Sequence, residues 1–465
     1  MPPPGPNGTG LARGVVREAA RWTRYHRLSP AKAARMPDLD RKLGLEQEFF
    51  LVEPDGRVSD AADAVLARCE TLQKDAGLSG ERFQPEWVRN MLEVCTPPCG
   101  SCEELAGEYL ATVRVAMEAA HAEGLRLYPL SSYPLHVIAK MRDSPNVRTQ
   151  LRTVGFERFL NAGRCTGTHL HVEVAGGAID PVTGVSLSAD EKAKAELVNA
   201  FNAATALDPV MIALGRSCPF YEGHSTGLAY HTTRYRGSDV YGWDGVYTNL
   251  PDVGGLRPYA ESPEGLLADQ FERHYSWLVT MDRAGVERRD YLDNVGGLLK
   301  SSWNPVRLNA HGTVEMRNID SNLPSVVLGV VQLADAVLRR VREDGLCVQP
   351  TDVGEVAAGG GELRVPDMDR LAGPLLFGAV TEGLNDAAVQ SYVHSVQEFA
   401  GRPRGPAWLA DLLPEVGEFV TTERRLLREF YPDGERLTRE RGLELVRTAC
   451  DDLEREVEEL SAKAS

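Results

Sequence analysis

Basic side chains are the scarce class in this 465-residue chain: 51 Lys and Arg stand against 67 Asp and Glu, a formal charge of −16. Phosphate backbones are gripped by Lys and Arg, so this balance excludes a general nucleic-acid binder and disfavours docking on anionic membrane. We expect no nucleic-acid partner and no membrane partner. A polyanionic substrate would have to be met locally, by metal ions and a few arginines. Long apolar runs are missing too. The most apolar window, Ser321–Ala334, is shorter than the ~20 residues of a spanning helix and contains Pro324. The N-terminus shows no apolar signal core and MPPPGPNGTG reads as a frayed leader, so a cytoplasmic protein is expected. Eight cysteines in so long a chain make no disulfide scaffold. Cys95, Cys99 and Cys102 form a C-x3-C-x2-C cluster without a fourth ligand at a recognised spacing, and we read them as reduced bystander thiols.

The nucleotide and nucleophile motifs of common folds are also absent. There is no G-x-x-x-x-G-K-[ST] loop and no G-x-S-x-G elbow, and Gly8, Gly10 and Gly14 follow no strand. If ATP binds, metals and a sheet face must hold it.

What the chain does contain is acid and imidazole at strand spacing. In Lys42–Glu53, Glu46 and Glu48 lie two apart; in Cys165–Val174, His169, His171 and Glu173 share a side opposite Leu170, Val172 and Val174. In His311–Asp320, Thr313, Glu315 and Arg317 lie opposite Val314 and Met316, and in Arg89–Thr96, Met91, Glu93 and Cys95 lie opposite Leu92 and Val94. Strand side chains alternate with period two, so each segment builds a polar face over an apolar underside. Carboxylates gathered on one face repel one another unless cations sit among them.

Helices are expected between the strands. Capping boxes at Ser101–Glu104 and Ser188–Glu191 start two of them; Gly124 stops the first, and Pro209 interrupts or ends the second. A strand is predicted at Arg126–Leu130, a helix at Asn322–Asp344, and helices at Trp408–Tyr431 and Leu437–Ala464. Arg13–His26 reads as a basic surface helix, residues 215–260 as an irregular binding region, and Ala357–Gly361 as linker. The fold class is α+β: an antiparallel sheet whose polar face carries the chemistry, helices covering the other side, and a helical C-terminal part. We divide the chain into a leader and surface helix (1–37), a catalytic α+β domain (38–345) and a mostly helical part packed on it (346–465).

Each residue set has a bland reading beside the chemical one. Glu46 and Glu48 are either solvated or, on a strand apolar on both faces, buried acids that need partners. His169 and His171 are structural, or a zinc pair, or imidazole joining carboxylates around Mg²⁺ or Mn²⁺, which prefer oxygen. Glu315 and Arg317 make a routine salt bridge, or place a guanidinium where phosphoryl oxygens pass. Arg307 and Asn309, on one face of Trp303–Asn309, are candidate anchors for a substrate carboxylate.

Five stretches in order, GLEQEFFLV (44–52), QPEWVRNMLEVCTP (84–97), GTHLHV (167–172), PFYEGHSTG (219–227) and GTVEMRNID (312–320), give the chain its resemblance. It resembles the type 2 glutamate–cysteine ligase family, bacterial carboxylate–amine ligases with a glutamine-synthetase-like catalytic fold. The resemblance implies that the polar face binds metal and ATP, with Glu46, Glu48, Glu93, His169 and Glu315 as metal ligands for Mg²⁺ (or Mn²⁺) and Arg317 as the arginine steadying the transferring phosphoryl group. His171 and Glu173 would stand behind the ligands, and Arg307, Asn309 and Arg234 would bind substrate. It implies small-molecule substrates (ATP, glutamate and an amino-acid amine, most simply cysteine) joined through a γ-glutamyl phosphate. A γ-glutamyl ligase for another amine, a metal-dependent hydrolase or phosphotransferase, and a silent binding protein are the alternatives. The oligomeric state, a homo-oligomer included, is left open.

Overall fold

The computed structural model describes residues 41–413 and 420–464; the expected helix at Arg13–His26 lies outside them. Seven strands form the central sheet: β1 (Leu43–Val52), β2 (Phe83–Pro85), β3 (Met91–Cys95), β4 (Arg126–Tyr128), β5 (Gly167–Glu173), β6 (Val306–Asn309) and β7 (Thr313–Asp320). Their order is β2-β3-β1-β5-β7-β6, with β4 beside the end of β1, and every pairing is antiparallel. The four predicted polar strands are present, each shorter by one to three residues at its ends than the sequence suggests. β1 holds the middle because both of its faces are needed: Leu43, Leu45, Phe49 and Leu51 point into the core, and the acids point the other way.

Helices cover the apolar underside. α1 (Cys102–Ala122) lies against β1 and β3, while α2 (Glu191–Ala206) and α3 (Asp208–Gly215) lie against β7. Short α4 (Tyr230–Arg236) also contacts β7, α5 (Pro324–Glu343) contacts β5, and α7 (Arg439–Ala464), which follows α6 (Thr422–Phe430), lies on α1 and β4. Ser101 caps α1 as predicted, accepting from Glu104 N at 3.1 Å, although Glu104 reaches back to Gly100 N rather than to Ser101 N. Gly124, at φ 72°, takes the left-handed turn that ends the helix.

Three expectations are corrected. Asp190, not Ser188, caps α2, because its carboxylate reaches Ala193 N at 2.9 Å while Ser188 Oγ meets Ser186 Oγ. Residues predicted as linker at 357–361 instead form a strand and its turn: β8 (Cys347–Thr351), β9 (Ala357–Gly359) and β10 (Glu362–Pro366) make a second sheet in which Gly360 and Gly361 supply the positive φ of the turn. The helix expected over Trp408–Tyr431 is not continuous: Ala407–Ala410 is one short helix, and Thr421 caps α6 afresh by accepting from Arg424 N. No single helix among the described residues is long and apolar enough to cross a membrane; α2 and α3 pass that test only as a pair bent by 43°.

Candidate active site

The strand registers bring the sequence's scattered acids together. Glu48 pairs with Glu93, Glu46 with His169, His171 with Glu315, and Glu315 with Arg307, so one polar face runs across β3, β1, β5, β7 and β6. A bulge between Thr168 and Leu170 breaks the β5–β7 register beside His169, the kind of irregularity that re-aims a side chain next to a working site.

Three groups of potential ligand atoms lie on this face, each with its atoms within 4.8 Å of one another: Glu46, Glu93 and His169; Glu46, His171 and Glu315; and Glu48, Glu86 and Glu93. Glu46 joins the first two, with its oxygens 3.2 Å from His169 Nδ1 and 3.3 Å from His171 Nε2. Glu48, 4% exposed, accepts from Gly167 N at 2.8 Å. Glu315, fully buried, accepts from Arg307 at 2.7 and 2.9 Å, from Asn309 at 2.6 Å and from Arg317 at 2.5 Å. Arg317 Nη1 also lies 3.3 Å from His169 Nδ1.

Electrostatics divide the face in two. Burial, followed by the charges of Glu46, Glu86 and Glu48, pushes the Glu93 carboxyl well above the usual range. Burial and the Glu86 charge do the same to Glu48 against the Gly167 hydrogen bond, and burial raises Glu86. On the other side burial also opposes ionisation of Glu315, but Arg307 and Arg317 overcome it and hold that carboxyl well below its ordinary range. Hydrogen bonds from His169 and His171 likewise overcome burial at Glu46. His169 is pushed down to about 4 by burial and by Arg317, so it presents a neutral ring. The donor set of crowded carboxylates and neutral imidazole, with buried His169 Nε2 lacking a hydrogen-bond partner, fits hard divalent cations.

The outer residues fall out differently. His171, expected behind the ligands, has a nitrogen among the potential ligand atoms of the second group, and its Nδ1 lies 3.0 Å from Thr313 Oγ1. Glu173 is at the strand end, where it accepts from Lys42 N, apart from the three groups. Arg307 and Asn309, expected on substrate, are bonded to Glu315. Arg234 lies on α4, 1% exposed, with its guanidinium carbon 3.6 Å from the Trp243 ring centroid, 3.8 Å from Tyr221 and 4.6 Å from Tyr230. Its Nη1 donates to Asn161 Oδ1 at 3.0 Å, and buried Nη2 has no partner. The cysteine cluster is no metal site among the described residues: Cys95 Sγ donates to Glu93, Cys99 Sγ to Pro97 O, and Cys102 lies beside Asp335.

Two residues of this face escaped the sequence. Glu86 follows the short edge strand β2, whose pairing of Gln84 with Glu93 brings the next carboxylate alongside; three residues of β2 give too little periodicity to reveal it. His231, on α4, lies with its ring centroid 6.3 Å from that of His169 and against Gly167, where an added Cβ would lie 2.7 Å from Nε2. Only its place in the irregular 215–260 region marked it.

A model of glutamate–cysteine ligase family 2 matches residues 42–353, which contain every residue of this face. The glutamate–cysteine ligase of Natronomonas pharaonis is 28% identical over 313 residues, covering 65% of this chain and 71% of that relative. That of Halobacterium salinarum (strain R1) is 28% identical over 304 residues, with 64% and 69% coverage. Among solved structures, a glutamate–cysteine ligase from Francisella tularensis in complex with AMP shares the fold at a TM-score of 0.52 and 12% identity, over 93% of each chain.

Proposed function

From the premise that this chain belongs to glutamate–cysteine ligase family 2, we propose that it joins the γ-carboxyl of glutamate to the amine of cysteine. Family and fold make it an ATP-dependent carboxylate–amine ligase, which forms an amide bond. The observation carrying the finer reading is the convergence of Glu46, Glu48, Glu86, Glu93, His169, His171 and Glu315 on one face with Arg317 beside them. Those carboxylates and imidazoles would hold Mg²⁺ or Mn²⁺, which when bound neutralises the nucleotide's phosphates.

The chemistry then follows from the groups present. A carboxylate is a poor acyl donor because its oxygen leaves badly. The γ-carboxylate oxygen attacks the γ-phosphorus of ATP, ADP leaves, and an acyl phosphate results. The amine then attacks the acyl carbon, phosphate departs, and one proton is lost from nitrogen. Arg317, whose guanidinium stays charged and can fork toward two oxygens, would steady the phosphoryl group in flight. Arg234 supports an amino-acid substrate: a buried cation with no carboxylate partner among the described residues is complementary to a carboxylate brought by a ligand.

An ADP-release screen of purified protein with Mg²⁺, ATP and glutamate, varying the amine across the common amino acids, tests the pairing. Release greatest with cysteine, with γ-glutamylcysteine as product, is expected; release with a different amine alone would reassign the acceptor, and no release with any would overturn the ligase reading.

A further inference from the structure

α4 brings His231 and Arg234 to the site, and the sheet holds only part of its start. Tyr230 N and His231 N donate at 3.4 and 2.8 Å to the carboxylate of Asp320, the last residue of β7. The other hold is a buried guanidinium. Arg216, 3% exposed, donates from Nε and Nη2 to the two oxygens of Glu423 at 2.5 and 2.6 Å. Its Nη1 donates to Ala379 O at 3.0 Å and to Val380 O, and its Nη2 donates to Gly227 O at 3.0 Å. Val380 O also accepts at 2.8 Å from the amide of Ala229, the residue preceding α4.

Glu423, 6% exposed, sits in the first turn of α6, about seventy residues beyond the end of the family match at 353. Its neighbour Thr422 donates to Asn322 Oδ1 at 2.7 Å, and Asn322 O accepts at 2.8 Å from Gln47, which stands between Glu46 and Glu48 on β1. One helical turn outside the family match thus reaches both the segment before α4 and the underside of the acid-bearing strand.

A buried ion pair is weak evidence for stability, since well-packed apolar residues of similar size often do as well. An apolar pair cannot, however, hold three backbone carbonyls in place. We infer that Glu423, acting through Arg216, is a positioning residue that sets where α4 presents Arg234 to the amino-acid substrate. The inference rests on the ligase reading above for its substrate and on the hydrogen bonds alone for its geometry.

The double variant Arg216→Met/Glu423→Leu separates placement from stability, because it removes the tether while keeping the volume filled. It is expected to melt near the wild-type temperature, to exchange the amides of residues 227–236 faster, and to lose on the order of 10–10²-fold in kcat/KM for the amino acids, as remote misplacement does. ATP affinity by calorimetry is expected to stay unchanged. Wild-type exchange across 227–236 together with wild-type kcat/KM would overturn the inference. Glu423→Gln, which leaves Arg216 without its counter-charge, is the second variant: a lower melting temperature with exchange and KM unaltered would make the pair merely structural. Exchange does not depend on which amine is used, so a wild-type protein inactive with every amine would defeat the ligase reading and leave the positioning result standing.

Discussion

Arg317 and Glu93 show how differently neighbouring residues of one face behave. Arg317 is held by Glu315 and lies against His169, so its charge is fixed beside the acid face, where the proposed mechanism needs it. Arg317→Ala is expected to lower turnover by about 10²–10³, the scale of one transition-state donor, with little change in melting temperature; steady-state assays reporting near wild-type turnover would remove it from the mechanism. Glu93 and Glu48 have raised pKa values from burial and from their neighbours. A carboxyl raised by folding favours the fold most below the ordinary carboxylate range and loses that contribution as pH climbs through its folded value. Glu315 and Glu46, which are lowered, run the other way, and their contribution disappears as pH falls through their folded values. Mg²⁺ bound there as proposed would displace the protons that the raised pair carries, so its affinity should increase with pH. Calorimetric titrations in buffers of different ionisation enthalpy should show proton release, and heats independent of buffer would refute it. Glu86→Gln should reduce that release and raise the Mg²⁺ concentration for half-maximal activity by about tenfold or more. The gathering of these residues on one face was legible where period two ran long enough to read, as at Glu46, His169 and Glu315. Glu86 and His231 were not, because their positions depend on tertiary pairing.

Elements were legible in kind more than in their ends. The Ser101 cap was recognisable because the hydroxyl, the acid three residues on and the apolar stripe agree. At 188–191 two capping residues competed, and Asp190 won because it is adjacent to the first helical residue. Asp190→Ala is expected to cost about 1 kcal/mol and Ser188→Ala nearly nothing in thermal melts; the reverse order would contradict the cap assigned to α2. The strand at 357–359 hid behind its own composition: alanine and glycine carry no alternation, and its pairing is set by β10, where Leu363 and Val365 are buried. The break before α6 was missed although Pro414 and Gly417 signal it, because apolar residues on both sides mimic a continuous stripe.

At the scale of the molecule, α7 shows why the C-terminal region belongs to any account of stability. It buries Leu445, Val446, Leu453, Val457 and Leu460 against α1, β4 and α5. At about 1.5–3 kcal/mol per large apolar side chain, these residues rival the entire stability of a domain, about 5–15 kcal/mol. A chain ended at Val353, where the family match stops, should show no cooperative melting transition; a sharp one would mean that the core is complete without α6 and α7. The α+β class and the antiparallel polar sheet were readable from alternation alone, whereas the grip of α6 on the sheet was not, because buried polar pairs such as Arg216 and Glu423 leave no periodic trace.

The bond from Gln47 to Asn322 spans 275 positions along the chain. During synthesis this bond cannot form until Asn322 has emerged, whereas the partners of β1 in β3 and β4 follow it closely along the chain. Chains that end before β7 lack Glu315 and Arg317, so the complete face requires that strand to have been made.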